Sequence, residues 1–181
     1  ADFRDQGAVQ ALAPRVAGAL GTINILVNGA SAFRQVDLTG TTRADIEESL
    51  SIQLWAPLRL SQAMLERLGD APGKIINLND ARQVRPNQFA YGVGKAALSG
   101  LTRSLAAAAG PNVQVNEIAL GAVLPPEGMS PQRVEQLARS SPARRLGALE
   151  DVAQLVEALI VNDFINGETV HLDGGRTGSR R

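Results

Sequence analysis

The sequence contains no cysteine, so disulfides and thiolate chemistry are both excluded and the redox state of its compartment leaves no mark. Its one histidine, His171, argues against a histidine-built metal site, and no metal is expected. Aromatic residues make up only 3% of the chain, with a single tyrosine, Tyr91, and a single tryptophan, Trp55. Lysine is almost as scarce: Lys74 and Lys95 are the only two among 18 basic residues. The richness in Arg and Ala is read as compositional bias without function. Eighteen basic residues cancel 18 acidic ones, so no charge excess points to nucleic acid. No apolar run approaches the ~18 residues that span a bilayer, so no membrane partner is expected. No signal peptide is visible, and the chain opens on Ala1 rather than Met, which leaves its true beginning open.

What is present suits one domain over residues 1–181: 44% hydrophobic and 20% charged residues, enough to bury a sizeable core. Val9, Leu12, Val16 and Leu20 fall at helical spacing, and Gly21 stops the helix. Residues 23–27 form a short apolar run, which predicts a strand buried on both faces, broken by Asn28-Gly29-Ala30-Ser31. A long helical pattern runs from Thr42 or Arg43 to about Leu68, with Pro57 expected to kink or divide it. Strands are predicted over 74–78, 113–118 and 168–172, and helices over 89–109, 131–139 and 149–160. Helix and strand alternate without a hairpin signal. That order predicts an α/β doubly wound parallel sheet with helices on both faces. In such sheets ligands bind outside the carboxyl ends of the strands, so Asn28, Asn79-Asp80 and Gly121 should border one crevice.

Tyr91 and Lys95 lie four apart on one helix and so share a face. A phenol titrates near ~10 in water. A neighbouring ammonium favours the phenolate and should lower that value, which makes Tyr91 a candidate proton donor or acceptor. Such a pair alone is a weak signal, usually surface decoration. Here it joins the sole tyrosine to one of only two lysines. Gly92, Gly94, Ala96 and Ala97 crowd the same turns and allow a neighbour to approach closely.

Several segments now resemble the short-chain dehydrogenase/reductase family in the right order. Asn28-Gly29-Ala30-Ser31 is similar to its Asn-Asn-Ala-Gly stretch, and Tyr91 to Lys95 to its Tyr-x-x-x-Lys. Val115-Asn116 through Leu120-Gly121 resembles its Val-Asn-x-x-x-Pro-Gly. Asn166-Gly167-Glu168 with Val170 to Gly175 resembles its C-terminal ending, and Ala1-Asp2-Phe3 the end of its third strand. The branch is narrower still. Asn77-Leu78-Asn79-Asp80, Arg85-Pro86 and Leu124-Pro125-Pro126 are similar to pteridine reductases and their dihydrofolate- and dihydropteridine-reducing relatives, where an aspartate replaces the usual serine.

The resemblance implies an NAD(P)H-dependent Rossmann-type reductase of a pterin-like small molecule. NADP(H) is expected rather than NAD(H), although the segment that would carry that choice is not in the chain. Tyr91 would deliver a proton, and Lys95 would bind the nicotinamide ribose and acidify Tyr91. Asp80 would hold or protonate the pterin; its bland reading is a loop acid that caps the next helix. Asn28 and Ala30 would pack along the cofactor, Gly121 and Val123 would border the nicotinamide, and Asp2 would reach adenine. A homotetramer and a cytoplasmic location follow from the same resemblance.

There are four departures from the family pattern. No Gly-rich phosphate loop is present, and with ~30 residues per βα unit roughly 60 residues are missing by comparison. The interval from Asp80 to Tyr91 is short; either the loop is tighter or residues are lost from it, and the second is expected. Gln53 stands where a catalytic-shell Asn is usual, which puts the usual proton-relay water in doubt, and Leu120 replaces a Pro. Trp55 is read as packing, Arg34 and Arg144-Arg145 as solvated, His171 as a satisfied strand residue, and Arg180 and Arg181 as a frayed tail. Two other functions stay open. One is a reductase of a carbonyl substrate, such as a 3-oxoacyl thioester or a ketone. The other is a non-catalytic remnant or assembly subunit.

Overall fold

The computed structural model describes residues 1–125 and 128–178. Pro126 of the expected Leu-Pro-Pro segment and the tail arginines Arg180 and Arg181 lie outside the described residues.

Local chemistry sets the element boundaries. Helix α1 (Gln6–Leu20) starts where the Asp5 carboxylate accepts the amides of Gly7 and Ala8, and stops at Gly21 with φ 82°. Helix α2 (Arg43–Leu50) opens with a reciprocal capping box between Thr42 and Asp45. The predicted break at Pro57 is displaced one turn upstream. Residues Ser51–Trp55 form a π-helical turn, with the amide of Ala56 bonded to Ser51 O five residues back, and α3 (Ala56–Leu68) follows. Proline has no amide to continue the ordinary ladder, and the widened turn takes up the mismatch. The remaining elements are β1 (Ile25–Asn28), β2 (Gly73–Asp80), α4 (Phe89–Ala108), β3 (Val113–Leu120), α5 (Pro131–Ala138), α6 (Leu149–Val161) and β4 (Thr169–Leu172). No helix among the described residues is long and apolar enough to cross a membrane.

The four strands lie in the order β1-β2-β3-β4 and every pair is parallel. Because side chains alternate across the pleat, β2 feeds two cores. Ile75 packs with Val115, Met64, Leu98 and Leu105 on the α3/α4 side, and Ile76 packs with Ile118 and Leu159 on the α6 side. This is the Rossmann-like layering that the order of elements predicts. Strand β1 departs from expectation. Leu26 is packed under α1 and α3, but Ile25 and Val27 are 40% and 43% exposed. Among the described residues β1 pairs only with β2.

The small residues of α4 act as the sequence suggests. A Cβ on Gly94 would collide with Ser49 Oγ and lie 3.0 Å from Gln53 Cγ, so α4 presses directly on α2 and the π turn. We expect Gly94→Ala to cost about 1–3 kcal/mol by overpacking, despite a helix-propensity gain of up to about 1 kcal/mol. Urea unfolding measures it; equal or higher stability would show that the helices are not in hard contact.

Candidate active site

The parallel register places the carboxyl ends of β1, β2 and β3 side by side, and α4 starts just beyond them. Asp80 is the last residue of β2, paired across to Leu120 of β3, and Gly121 follows. The chain from Asp80 to α4 is unbroken and passes through a tight 3₁₀ turn, Pro86–Gln88, with Gln88 N bonded to Arg85 O at 2.9 Å. In this sequence the short interval folds as a tight loop. Its tightness carries Arg85 back to the strand end.

Three groups converge on the Asp80 carboxylate. Arg85 Nη2 donates to Oδ2 at 2.6 Å, the Tyr91 hydroxyl donates to the same oxygen at 3.0 Å, and Arg82 N donates to Oδ1 at 2.7 Å. Asp80 is not a cap for α4, since these bonds stay within its own loop or come from the Tyr91 side chain. Tyr91 and Lys95 share the buried face of α4, at 6% and 4% exposure. Lys95 Nζ donates to Leu78 O at 3.0 Å and lies 5.9 Å from the centre of the Tyr91 ring.

The direction of the Tyr91 shift reverses the sequence expectation. Burial pushes the phenol well above its usual range, and the charge of Asp80 and the bond to its carboxylate push it further. The charge of Arg85 and a hydrogen bond from Ser31 oppose this without overcoming it. Lys95 does not figure among the causes of the Tyr91 shift, and its Nζ donates to a backbone carbonyl. Its own value falls from 10.5 to about 8, chiefly through burial, with the charges of Asp80 and Glu117 resisting. Tyr91 is thus held protonated, with its hydroxyl proton on Asp80.

Sequence reading missed Phe33. Its ring centre is 4.5 Å from that of Tyr91, and the Arg85 guanidinium lies over the Phe33 ring, 5.5 Å from its centre. A rare aromatic five residues past Asn28 was the available signal. Phe33, Asp80, Arg85, Gly121, Val123 and Met129 help line a cavity of about 620 Å³. Asn28 is buried; its Nδ2 donates to Asn77 Oδ1 at 2.8 Å, while its own Oδ1 has no partner. Ala30 is exposed in the following loop. Gln53 is 1% exposed and donates to Ser31 Oγ at 2.9 Å.

Asp2 stands apart from this cluster. Residues 1–5 are not a strand, and Asp2 is paired with Arg4 at 2.7 Å, with Arg4 in turn 3.6 Å from Glu48. The Arg4 bond draws the Asp2 carboxyl down to about 2. Arg34 is not simply solvated but pairs with buried Asp45 at 2.5 Å, and Arg145 pairs with Asp151 at 2.7 Å. Trp55 borders a crevice with Phe3 and Val9 and is 49% exposed. Among the described residues no cluster of metal-ligating side chains occurs.

Residues 1–177 match the family profile described as enoyl-(acyl carrier protein) reductase. The chain belongs to the short-chain dehydrogenase/reductase family. This reductase chain is 35% identical over 191 residues to the short-chain reductase protein NovJ of Streptomyces niveus, covering 95% of itself and 72% of NovJ. It is 31% identical over 183 residues to dihydromonapterin reductase of Escherichia coli K12, covering 97% and 75%. Among solved structures, FolM alternative dihydrofolate reductase 1 from Brucella canis, complexed with NADP, superposes with a TM-score of 0.91 at 30% identity. That match covers 99% of this chain and 72% of the other.

A buried lysine whose value is lowered makes stability depend on pH. Between about 8 and 10.5 the unfolded chain binds a proton that the folded chain has released. Stability from this group therefore rises with pH across that window and is lost as pH falls through about 8. Lys95→Met should abolish that rise in the urea midpoint; an unchanged slope would mean that Lys95 is not desolvated.

Proposed function

We propose that this protein is an NADP(H)-dependent reductase of pterin-like substrates, of the dihydropteridine or dihydrofolate type, with Tyr91 as proton donor and Asp80 as the group that holds the heterocycle. The observation that carries this reading is the 3.0 Å bond from the Tyr91 hydroxyl to a carboxylate at the strand end. A carboxylate accepts the N–H groups of a pterin ring, which a serine does less well.

The residues present fit the nicotinamide end of such a cofactor. Asn28 Oδ1 is buried and unmatched, and an ammonium has three protons, of which Lys95 commits one to Leu78 O. Lys95 and Tyr91 would hold the ribose, Asn28 and Ala30 would lie along the nicotinamide side, and Gly121 and Val123 would border the ring. Asp2 would have to leave Arg4 to meet adenine. When bound, the cofactor supplies hydride. The chain's own residues do the rest. Asp80 fixes the substrate ring, and Arg85 fixes Asp80 and backs Phe33, whose exposed face offers a flat wall for a heterocycle. Tyr91 gives its proton to the ring nitrogen beside the carbon that is reduced. A homotetramer built through α2, α3 and α4 and a single domain over residues 1–181 belong to the same proposal, which the family membership supports.

A carbonyl substrate with an apolar chain is the alternative, favoured by Leu120, Leu124, Leu149 and Val152 on the cavity wall. Two substitutions separate the readings. Tyr91→Phe should lower kcat for NADPH oxidation with a dihydropteridine by about 10²–10⁴-fold; retained activity sinks the assignment of the donor. Asp80→Ser should abolish selective dihydropteridine turnover while sparing simple ketones. Full pterin activity in that variant would leave the pterin reading without a basis.

A further inference from the structure

The Asp80 carboxylate is already crowded. A carboxylate offers roughly four lone-pair positions. Arg85 Nη2 and the Tyr91 hydroxyl both donate to Oδ2, and Arg82 N donates to Oδ1. One position is left. The 2-aminopyrimidine edge of a pterin carries a ring N–H beside an amino group, two parallel donors that suit the two oxygens of one carboxylate. To receive both, Asp80 has to release a donor that it now holds.

The three donors are not equally free to go. Arg82 N is main chain, two residues from Asp80. Tyr91 stands on α4, whose rotation against the sheet is held by bonds from Asn77 to Thr102 and from Asn79 to Lys95 O. Arg85 reaches in on a long side chain from the loop, with 31% of that side chain open to solvent. Its Nε also donates to Arg82 O, at 3.1 Å. Arg85 is the donor that can swing clear.

Arg85 also has the shape of what would replace it. A guanidinium is a flat N–C–N fork that binds carboxylates and lies on aromatic rings. A 2-aminopyrimidine edge is the same N–C–N array, uncharged and closed into a ring. Arg85 reaches Asp80 at 2.6 Å while its guanidinium carbon lies 5.5 Å from the centre of the Phe33 ring. Those are the two contacts that the proposed reaction asks of the substrate heterocycle, and Phe33, Asp80 and Arg85 line one cavity.

We propose that Asp80 and Phe33 form a subsite for a planar guanidine-like group, which Arg85 fills until the 2-aminopyrimidine edge of the substrate displaces it. The proposal rests on the pterin reading and deepens it. Arg85 keeps Asp80 and Phe33 in place ahead of the substrate, then gives up both contacts to it. Tyr91 keeps its bond to Oδ2 and its proton. Every ligand of the subsite is therefore bound against an internal competitor.

Two probes test this without turnover. Methylguanidinium, followed by saturation transfer to its methyl protons, should bind Arg85→Ala. It should bind neither the unaltered protein nor the double variant Arg85→Ala/Asp80→Asn. No signal in Arg85→Ala, or a signal that survives the loss of the Asp80 charge, overturns the proposal. The second probe is oxidised pterin, titrated by its fluorescence in the presence of NADP⁺. Its Kd should fall about 10-fold in Arg85→Ala, while the analogue without the 2-amino group should gain far less. Pterin binding that is unchanged or weaker in the variant overturns the displacement, and an equal gain by the analogue overturns the guanidine-like assignment. Arg85→Lys, which keeps a charge beside Asp80 but lacks the flat fork, guards against a loss of folding and should show part of the gain. If neither protein binds pterin, the pterin reading fails, and the methylguanidinium result still decides the subsite.

Discussion

The bond between the Tyr91 hydroxyl and Asp80 exists only because α4 is held at one distance and one rotation against β2 and β3. Helix and strand are joined by a short loop, and the loop alone does not fix that rotation. The lock is a set of buried polar contacts on the α4 face of the sheet. Asn79 Nδ2 donates to Lys95 O and to Ser99 Oγ, Asn77 Nδ2 donates to Thr102 Oγ1, and Ser99 Oγ donates to fully buried Glu117. Each contact is directional and none can slide along the helix as an apolar contact can. Turning α4 by one residue would leave several of these groups unpaired in the interior, at a cost of about 1–3 kcal/mol each. The same network reaches β1 through Asn28 and Asn77, so the floor of the crevice and the helix that carries Tyr91 form one polar unit.

Further out, the site is organised by pairing of charge. Asp80 draws Arg85 from the loop and Tyr91 from the helix onto a single oxygen. Arg85 thereby stands beside Phe33, and an otherwise irregular loop gains an ordered aromatic wall. The carboxylate is therefore both an anchor of the site's shape and, in the proposed reaction, the point where the substrate ring is held. Substrate that bonds to Asp80 must share or displace the phenol proton now parked there.

Much of this was legible in the sequence. The alternation of helix and strand gives the parallel sheet, the helical pattern starting at Thr42 or Arg43 and the stop at Gly21 give boundaries, and the spacing of Tyr91 and Lys95 gives a shared face. What was not legible depended on quantities that spacing does not encode. The sign of the Tyr91 shift turns on how deeply the phenol is buried and on which oxygen its proton meets. The place of the helix break turns on how Pro57 is accommodated upstream, not on its presence. Phe33 and Ser31 sit in a loop without periodicity, where residue type gives no direction. Strand β1 reads as doubly buried because its apolar run is continuous, whereas burial of an edge depends on what lies beside it.

Strand β1 joins two parts of the molecule. Leu26 sits under α1 and α3, and two residues further on Asn28 bonds to Asn77, so this four-residue strand is a short lever between the helix layer and the floor of the crevice.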